Sequence, residues 1–222
     1  MKSVCLVWLV SFLLVVASGR GSNANITSAP ELIAQLKALE SEEKNLQEDT
    51  SSLHANQKAQ RELLLKMGET GDQSFVPLLR SFANQSTIKR PSLIAGCAQV
   101  ALAKLGDTTA YNEIVSELKH VNPVIQCEAF QKLGMVASTS AVKILGSYLN
   151  DTSAPAVDPA SLPPGYVPAR HLRFFRRCHM AAMALSKIIK PAPTQANPEL
   201  YTDDDIQKWR AWWEANKSKY SE

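Results

Sequence analysis

Apolar residues recur at helical spacing along most of the chain, and four stretches end alike. They are Leu63-Leu64-Leu65-Lys66-Met67-Gly68, Ala101-Leu102-Ala103-Lys104-Leu105-Gly106, Ala129-Phe130-Gln131-Lys132-Leu133-Gly134 and Ala184-Leu185-Ser186-Lys187-Ile188-Ile189. Each places apolar residues at i, i+1 and i+4 with a lysine at i+3, which reads as one buried helix face with a solvated lysine beside it. In the first three a glycine follows at once, the residue that most easily takes the left-handed conformation ending a helix. The fourth has Ile189 there and stops at Pro191. After each stop a second apolar-periodic stretch follows: Phe75, Val76, Leu79 and Phe82; Tyr111, Ile114, Val115 and Leu118; Val142, Leu145, Tyr148 and Leu149; Ile206, Trp209, Trp212 and Trp213.

The repeated unit is therefore helix, short turn, helix. Neither helix of such a pair covers its apolar face alone, so pairs are expected to stack side by side into a continuous core. The segment Ala98-Gln99-Val100-Ala101-Leu102-Ala103-Lys104-Leu105-Gly106-Asp107 is similar to the Ala-x-x-Ala-Leu-x-x-Leu-Gly-Asp turn of the short HEAT-like repeats first recognised in phycobilisome lyases. Gly71-Asp72 is a looser copy, whereas Gly134-Met135 and Ile188-Ile189 lack the Asp. Arg176 and Arg177 stand near the place where that family often carries an Arg. The closing Trp209-Arg210-Ala211-Trp212-Trp213-Glu214 resembles the Trp-rich end of many exported bacterial repeat proteins of this kind. The resemblance covers residues 55–220 and implies an all-α fold: a short α-solenoid of about four helical hairpins. Such motifs specify a fold far better than a function.

Upstream, Ser28 with Glu31 forms a capping-box pattern opening a helix that carries Leu32, Leu36, Leu39, Leu46 and Leu53 on a heptad stripe interrupted by Glu43 and Thr50. Within residues 25–54 this predicts an N-terminal helix, either capping the first repeat or pairing with a second copy. The stretch 154–168 holds five of the twelve prolines and cannot be helix; it is an insertion entering the fourth unit. A second Pro-bearing segment, Pro191 to Pro198, divides that unit's two helices. Loops this long in a compact stack are often functional.

The start of the chain has a different pattern, in which Lys2 precedes an apolar run from Val4 to Ala17 and then small and polar residues. This is the outline of a secretory signal peptide over residues 1–24, with candidate cleavage after Gly19 or Ala24, and it predicts export to a periplasm or medium. Removing Lys2 and Arg20 from 24 basic residues leaves 22 against 21 acidic ones, so the mature charge of +1 points to no nucleic acid or other bulk polyanion. No membrane association is expected after cleavage. Cys97, Cys127 and Cys178 remain, odd in number, without CxxC or Cys/His metal spacing and each inside an apolar helical pattern. They read as small core residues, and no metal or other cofactor is expected.

The densest chemistry is Arg170, His171, Arg173, Phe174, Phe175, Arg176, Arg177, Cys178 and His179. From Gly165 to Lys190 there are four Arg and two Lys and no Asp or Glu, a local charge of +6. One reading is a docking patch, carried by Arg170, His171, Arg173, Arg176 and Arg177, for an acidic segment of a protein or peptide partner, a phosphate or an anionic polymer. The other is internal: the aromatic residues and Cys178 fill the core while the arginines bond to Asp203 to Asp205 or to carbonyls. Downstream, Thr202 with Asp205 forms a second capping-box pattern, and Trp209, Trp212 and Trp213 share one helix face. They can seal the open end of the core or present a platform to a glycan. There is no GxSxG, HExxH or phosphate-cradling glycine loop, and the chain has only four histidines, His54, His120, His171 and His179. Asn-x-Ser/Thr sequons occur at Asn25, Asn84, Asn150 and Asn216. Two functions remain: a non-enzymatic exported scaffold for protein–protein interaction, or a lyase- or hydrolase-like enzyme with a site near His171 and His179.

Overall fold

A computed structural model describes residues 28–43, 45–46, 50–84, 92–120, 122–153, 176–198 and 201–220. The expected leader over 1–24 and the Pro-rich insertion lie outside the described residues. The described structure is helical and contains no strand: α1 (Ala29–Glu43), α2 (Thr50–Glu69), α3 (Val76–Ala83), α4 (Ser92–Lys104), α5 (Thr108–Glu117), α6 (Pro123–Val136), α7 (Thr139–Ser147), α8 (Arg177–Ile188) and α9 (Asp203–Asn216). Short 3-10 turns at Gln73–Phe75, Tyr148–Asn150 and Lys217–Tyr220 extend α3, α7 and α9.

Helix α1 opens as expected, with the Ser28 amide donating to the Glu31 carboxylate at 2.8 Å. Its heptad stripe does not continue as one helix. The helix ends at Glu43 and α2 begins at Thr50, so Leu53 belongs to a different element from Leu32 and Leu36. Those two leucines are fully buried in the core that α2, α3 and α4 build. The α1–α2 corner is tied by side chains: the Asn56 amide donates to the Leu39 carbonyl, and the Gln60 amide to Glu43 at 2.8 Å.

The turns between paired helices repeat one device, a left-handed residue followed by an N-cap. Gly71 (φ 74) precedes Asp72, whose carboxylate accepts from the Ser74 amide; Gly106 (φ 87) precedes Asp107, which accepts from Thr109 and Ala110. In the third pair the same device falls at Ala137 (φ 57) and Ser138, three residues past the glycine that the sequence pattern marks as the stop. Gly68 and Gly134 instead lie inside α2 and α6. They are glycines because another helix approaches: a β-carbon on Gly68 would sit 2.6 Å from the Ala101 Cα, and one on Gly134 would sit 3.1 Å from the Ala184 Cα.

Helix α2 packs on α4, α4 on α6, and α6 on α8. Arg177 at the start of α8 reaches Gln126 near the start of α6, while Ala184 meets Gly134 further along both, so α6 and α8 run in the same direction. The shorter helices α3, α5 and α7 fit against the first helix of the following pair, α4, α6 and α8 respectively. Two buried clusters result, meeting at α4: Ile94, Cys97, Ala98 and Ala101 face the N-terminal one, and Val100 the C-terminal one. Helix α9 covers the C-terminal cluster. Trp209 is fully buried, and Trp213 presses so closely on Gly146 that a β-carbon there would lie 2.5 Å from its indole ring. Trp212 is partly buried, edge-on to Trp209 at 5.7 Å, and Tyr220 stacks on Trp213 at 6.1 Å.

Candidate functional site

The basic segment enters the described structure at Arg176; Arg170, His171 and Arg173 lie outside it. Arg176 is the N-cap of α8, with extended backbone and no side-chain cap bond of its own. The orphan amides of the first turn are met from the stretch that precedes the insertion, Arg177 donating to the Ser153 carbonyl at 3.0 Å and Cys178 to the Asp151 carbonyl at 2.9 Å. The chain on either side of the Pro-rich insertion is thus joined at its base.

The Arg177 guanidinium reinforces that junction, 3.1 Å from Asp151, 3.3 Å from Gln126 and 3.4 Å from the Ser153 hydroxyl. Partial desolvation acts to raise the Asp151 carboxyl, but hydrogen bonds from Ser153 and Arg177 outweigh it and hold the group below its ordinary value. Arg176 reaches across to Asp203 of α9 at 3.6 Å, in a pair whose side chains are 41% and 69% exposed. At that exposure the pair contributes roughly 0 to 1 kcal/mol. Of the two arginines, Arg177 is built into the fold and Arg176 stays available to solvent.

Behind them, Cys178, His179 and Asp203 form a line. The Cys178 sulfur is 3.4 Å from His179 Nδ1, and His179 Nε2 is 4.0 Å from Asp203. Cys, His and Asp in contact suggest nucleophilic catalysis, but the electrostatics oppose it. Burial pushes the Cys178 thiol up despite the arginines nearby, whereas a nucleophilic cysteine needs its thiolate. Cys178 and His179 are both buried, which denies a substrate access to the sulfur. Cys97, Cys127 and Cys178 are not disulfide-bonded, and the Cys127 thiol donates to the Met180 sulfur at 3.1 Å; Cys97 is driven by burial up to about 12.

A polar cluster that periodicity does not reveal lies between α4, α5 and α6. Lys132, read from the sequence as solvated, is only 9% exposed and donates to Glu117 at 2.7 Å and Gln99 at 2.8 Å, while Gln99 donates to Glu113. Burial raises the neighbouring Glu128 carboxyl; Lys132 works against that and Glu117 adds to it. The lysine column in the sequence was the available signal, but its partners come from other helices at no fixed spacing. Lys104 bonds Glu69 at 2.9 Å in the same manner.

No family model matches the chain, nor does any curated protein or solved structure. Among the described residues there is no group of three or more His, Cys, Asp or Glu arranged to hold a metal ion, and no helix long and apolar enough to cross a membrane. Of the sequons, Asn84 and Asn150 are exposed, whereas the Asn216 amide is engaged with the Trp212 carbonyl at 2.7 Å.

Proposed function

We propose that this chain is an exported, non-enzymatic scaffold, a short stack of HEAT-like helical hairpins that binds a protein or peptide partner of acidic character. The observation that carries the reading is the succession of contacts α2–α4–α6–α8, repeated with the same glycine-to-alanine approach in two of its three steps. A succession in which each long helix packs on the next supports a stacked row, and such rows are suited to laying a partner along one face. The apolar run near the N-terminus supports export.

The docking surface in this reading is the basic segment of Arg170, His171, Arg173 and Arg176, of which only Arg176 is among the described residues, while Arg177, held by Asp151, serves the fold. The exposure of Arg176 supports it, since that guanidinium can exchange Asp203 for a partner's carboxylate at little cost. The raised thiol and buried imidazole of Cys178 and His179 leave the enzyme reading near His171 and His179 without comparable support.

Affinity capture of the mature protein from its native envelope or medium tests the proposal, run beside a variant carrying Arg173→Ala and Arg176→Ala. The expected result is a partner retained by the unaltered protein and lost from the variant, with the difference largest at low salt. A variant that captures as well as the parent at every salt concentration refutes the docking surface, and turnover of a substrate by the mature protein refutes the scaffold.

A further inference from the structure

In the row α2–α4–α6–α8, the residue three before each aligned lysine marks where the preceding helix arrives. It is Ala101 in α4, Ala129 in α6 and Ala184 in α8, all buried, with Ala101 against Gly68 and Ala184 against Gly134. In α2 the same place is Leu63, which is only partly buried. Helix α1 does not fill the place of a preceding row helix. It packs on α2 as α3 packs on α4, α5 on α6 and α7 on α8, like the second helix of a pair whose first is not among the described residues.

A groove of about 480 Å³ opens there between α1 and α2, with Ala38, Leu39, Ala59 and Leu63 in its lining and Glu62 and Lys66 at its edge. The end unit of a helical stack needs a polar outer face if it is to stay in water. This end keeps an apolar floor, and its small residues Ala38 and Ala59 leave room for a helix to come close, as Gly68 and Ala101 do inside the row. Its charges are of both signs, Glu42 and Glu62 beside Lys66, which selects neither a strongly acidic nor a strongly basic partner. The exposed edge of α2 matches itself instead. Two copies of α2 set antiparallel and centred between Glu62 and Leu63 bring Lys66 of each over Ala59 of the other, one turn from its Glu62, and the two leucines together. A parallel setting would oppose like charges. Within one chain Glu62 has Lys58 at 3.9 Å, both 48% exposed, a pair loose enough for a second copy's lysine to replace.

We infer that the α1–α2 groove is the face through which two copies of this chain pair head to head about a two-fold axis, each covering Leu63 of the other. Such a contact closes on itself, so the product is a dimer and not a filament. The opposite end of the row is already covered by Trp209 and Trp213 of α9. Two helices side by side over the length of α1 present about 450 Å² per copy, at the low end for a specific interface, so the dimer is weak, with a Kd on the order of micromolar. Docking of an acidic partner at Arg176 neither requires this contact nor competes with it; the inference leans on the export reading only for removal of residues 1–24.

Sedimentation equilibrium of the full mature chain over a range from about 1 to 200 μM tests this, beside carbodiimide cross-linking of a mixture of isotopically light and heavy chains. The mass should rise from monomer to dimer and no further, and a Glu62–Lys66 cross-link should join light to heavy chains. Leu63→Glu should weaken the dimer roughly a hundredfold, and Lys66→Glu roughly tenfold. The double exchange Glu62→Lys with Lys66→Glu restores both pairs with their signs reversed and should return the Kd to within about threefold of the parent. A monomer throughout the range, growth beyond a dimer, or a dimer indifferent to Leu63→Glu overturns the inference. So does a Lys66→Glu defect that the double exchange leaves unrepaired. If Leu63→Glu does not fold, the charge exchange and the mixed-chain cross-link decide. A different protein held by this groove while the chain itself stays monomeric gives the face to that partner and also overturns the second copy. The mass of the secreted chain's N-terminus reads leader removal separately, so failure of export and failure of pairing are told apart.

Discussion

Gly134 stands against Ala184 so that a β-carbon on the glycine would lie 3.1 Å from the alanine Cα, and Gly68 stands against Ala101 in the same relation at 2.6 Å. Ala101 and Ala184 occupy the same place in their segments, three residues before the aligned lysine. One packing solution is used twice, 66 residues apart on one partner and 83 on the other, with the insertion accommodated between.

Gly68→Ala should therefore destabilise. In an exposed helix that change stabilises by about 1 kcal/mol. Here the new methyl meets backbone at 2.6 Å, and forcing α2 from α4 costs on the order of 1 to 3 kcal/mol beyond that gain. Gly134→Ala, with its nearest atoms at 3.1 to 3.2 Å, should cost less. Urea midpoints for both variants check the order; stabilisation by both would mean that these helices do not approach as described.

Ala137→Gly should act in the opposite sense. Ala137 holds φ 57, a left-handed conformation that disfavours any residue with a β-carbon, and its amide closes α6 on the Leu133 carbonyl at 3.1 Å. Glycine relieves roughly 1 kcal/mol of strain there, less the entropy it adds to the unfolded chain. A thermal melt should show a small rise in midpoint, and a fall would refute the assigned turn.

Helices, caps and much of the core were legible in the sequence because each depends on neighbours within a turn. Ser28 with Glu31, Asp107 after Gly106, and Thr202 with Asp205 all appear where the pattern puts them. What failed to show depends on a second helix. Gly68 and Gly134 look like helix stops until Ala101 and Ala184 are beside them, and Lys132 looks solvated until Gln99 and Glu117 close over it. Ala137 carries no sequence mark of its left-handed turn, because alanine is the best helix former and its conformation is imposed by the need to cap α7 at Ser138. In the basic segment, sequence alone does not separate Arg176 from Arg177, which differ in what α6, α9 and the Asp151 turn bring to them.

That difference predicts unequal costs. Arg177→Ala removes a guanidinium shared by Asp151, Gln126 and Ser153 at the base of the insertion, and should cost about 1.5 to 3 kcal/mol, as hydrogen bonds to charged groups do. Arg176→Ala breaks only an exposed pair with Asp203 and should cost roughly 0 to 1 kcal/mol. Equal losses in denaturant titrations would show that the two arginines are not divided between fold and surface.

The Thr194–Asp205 contact makes stability depend on acid. Asp205 accepts from the Thr194 hydroxyl at 2.6 Å and from the Thr202 amide and hydroxyl at 3.0 and 2.8 Å. Led by the Thr194 bond, these hold its carboxyl far below the ordinary aspartate value, against the smaller opposing effect of burial. Because the folded group binds its proton more weakly than the unfolded one, its stabilisation is complete above an unfolded value of about 4 and is lost as pH falls below it. Thr194→Val keeps the shape and removes the hydroxyl donor, so it should cost about 1.5 to 3 kcal/mol at neutral pH. The cost should shrink as the medium is acidified below about pH 4, where the parent loses the same contribution. Melting curves of parent and variant should converge at low pH; a gap that stays constant from neutral pH into that range would show that Asp205 is not what the threonine holds.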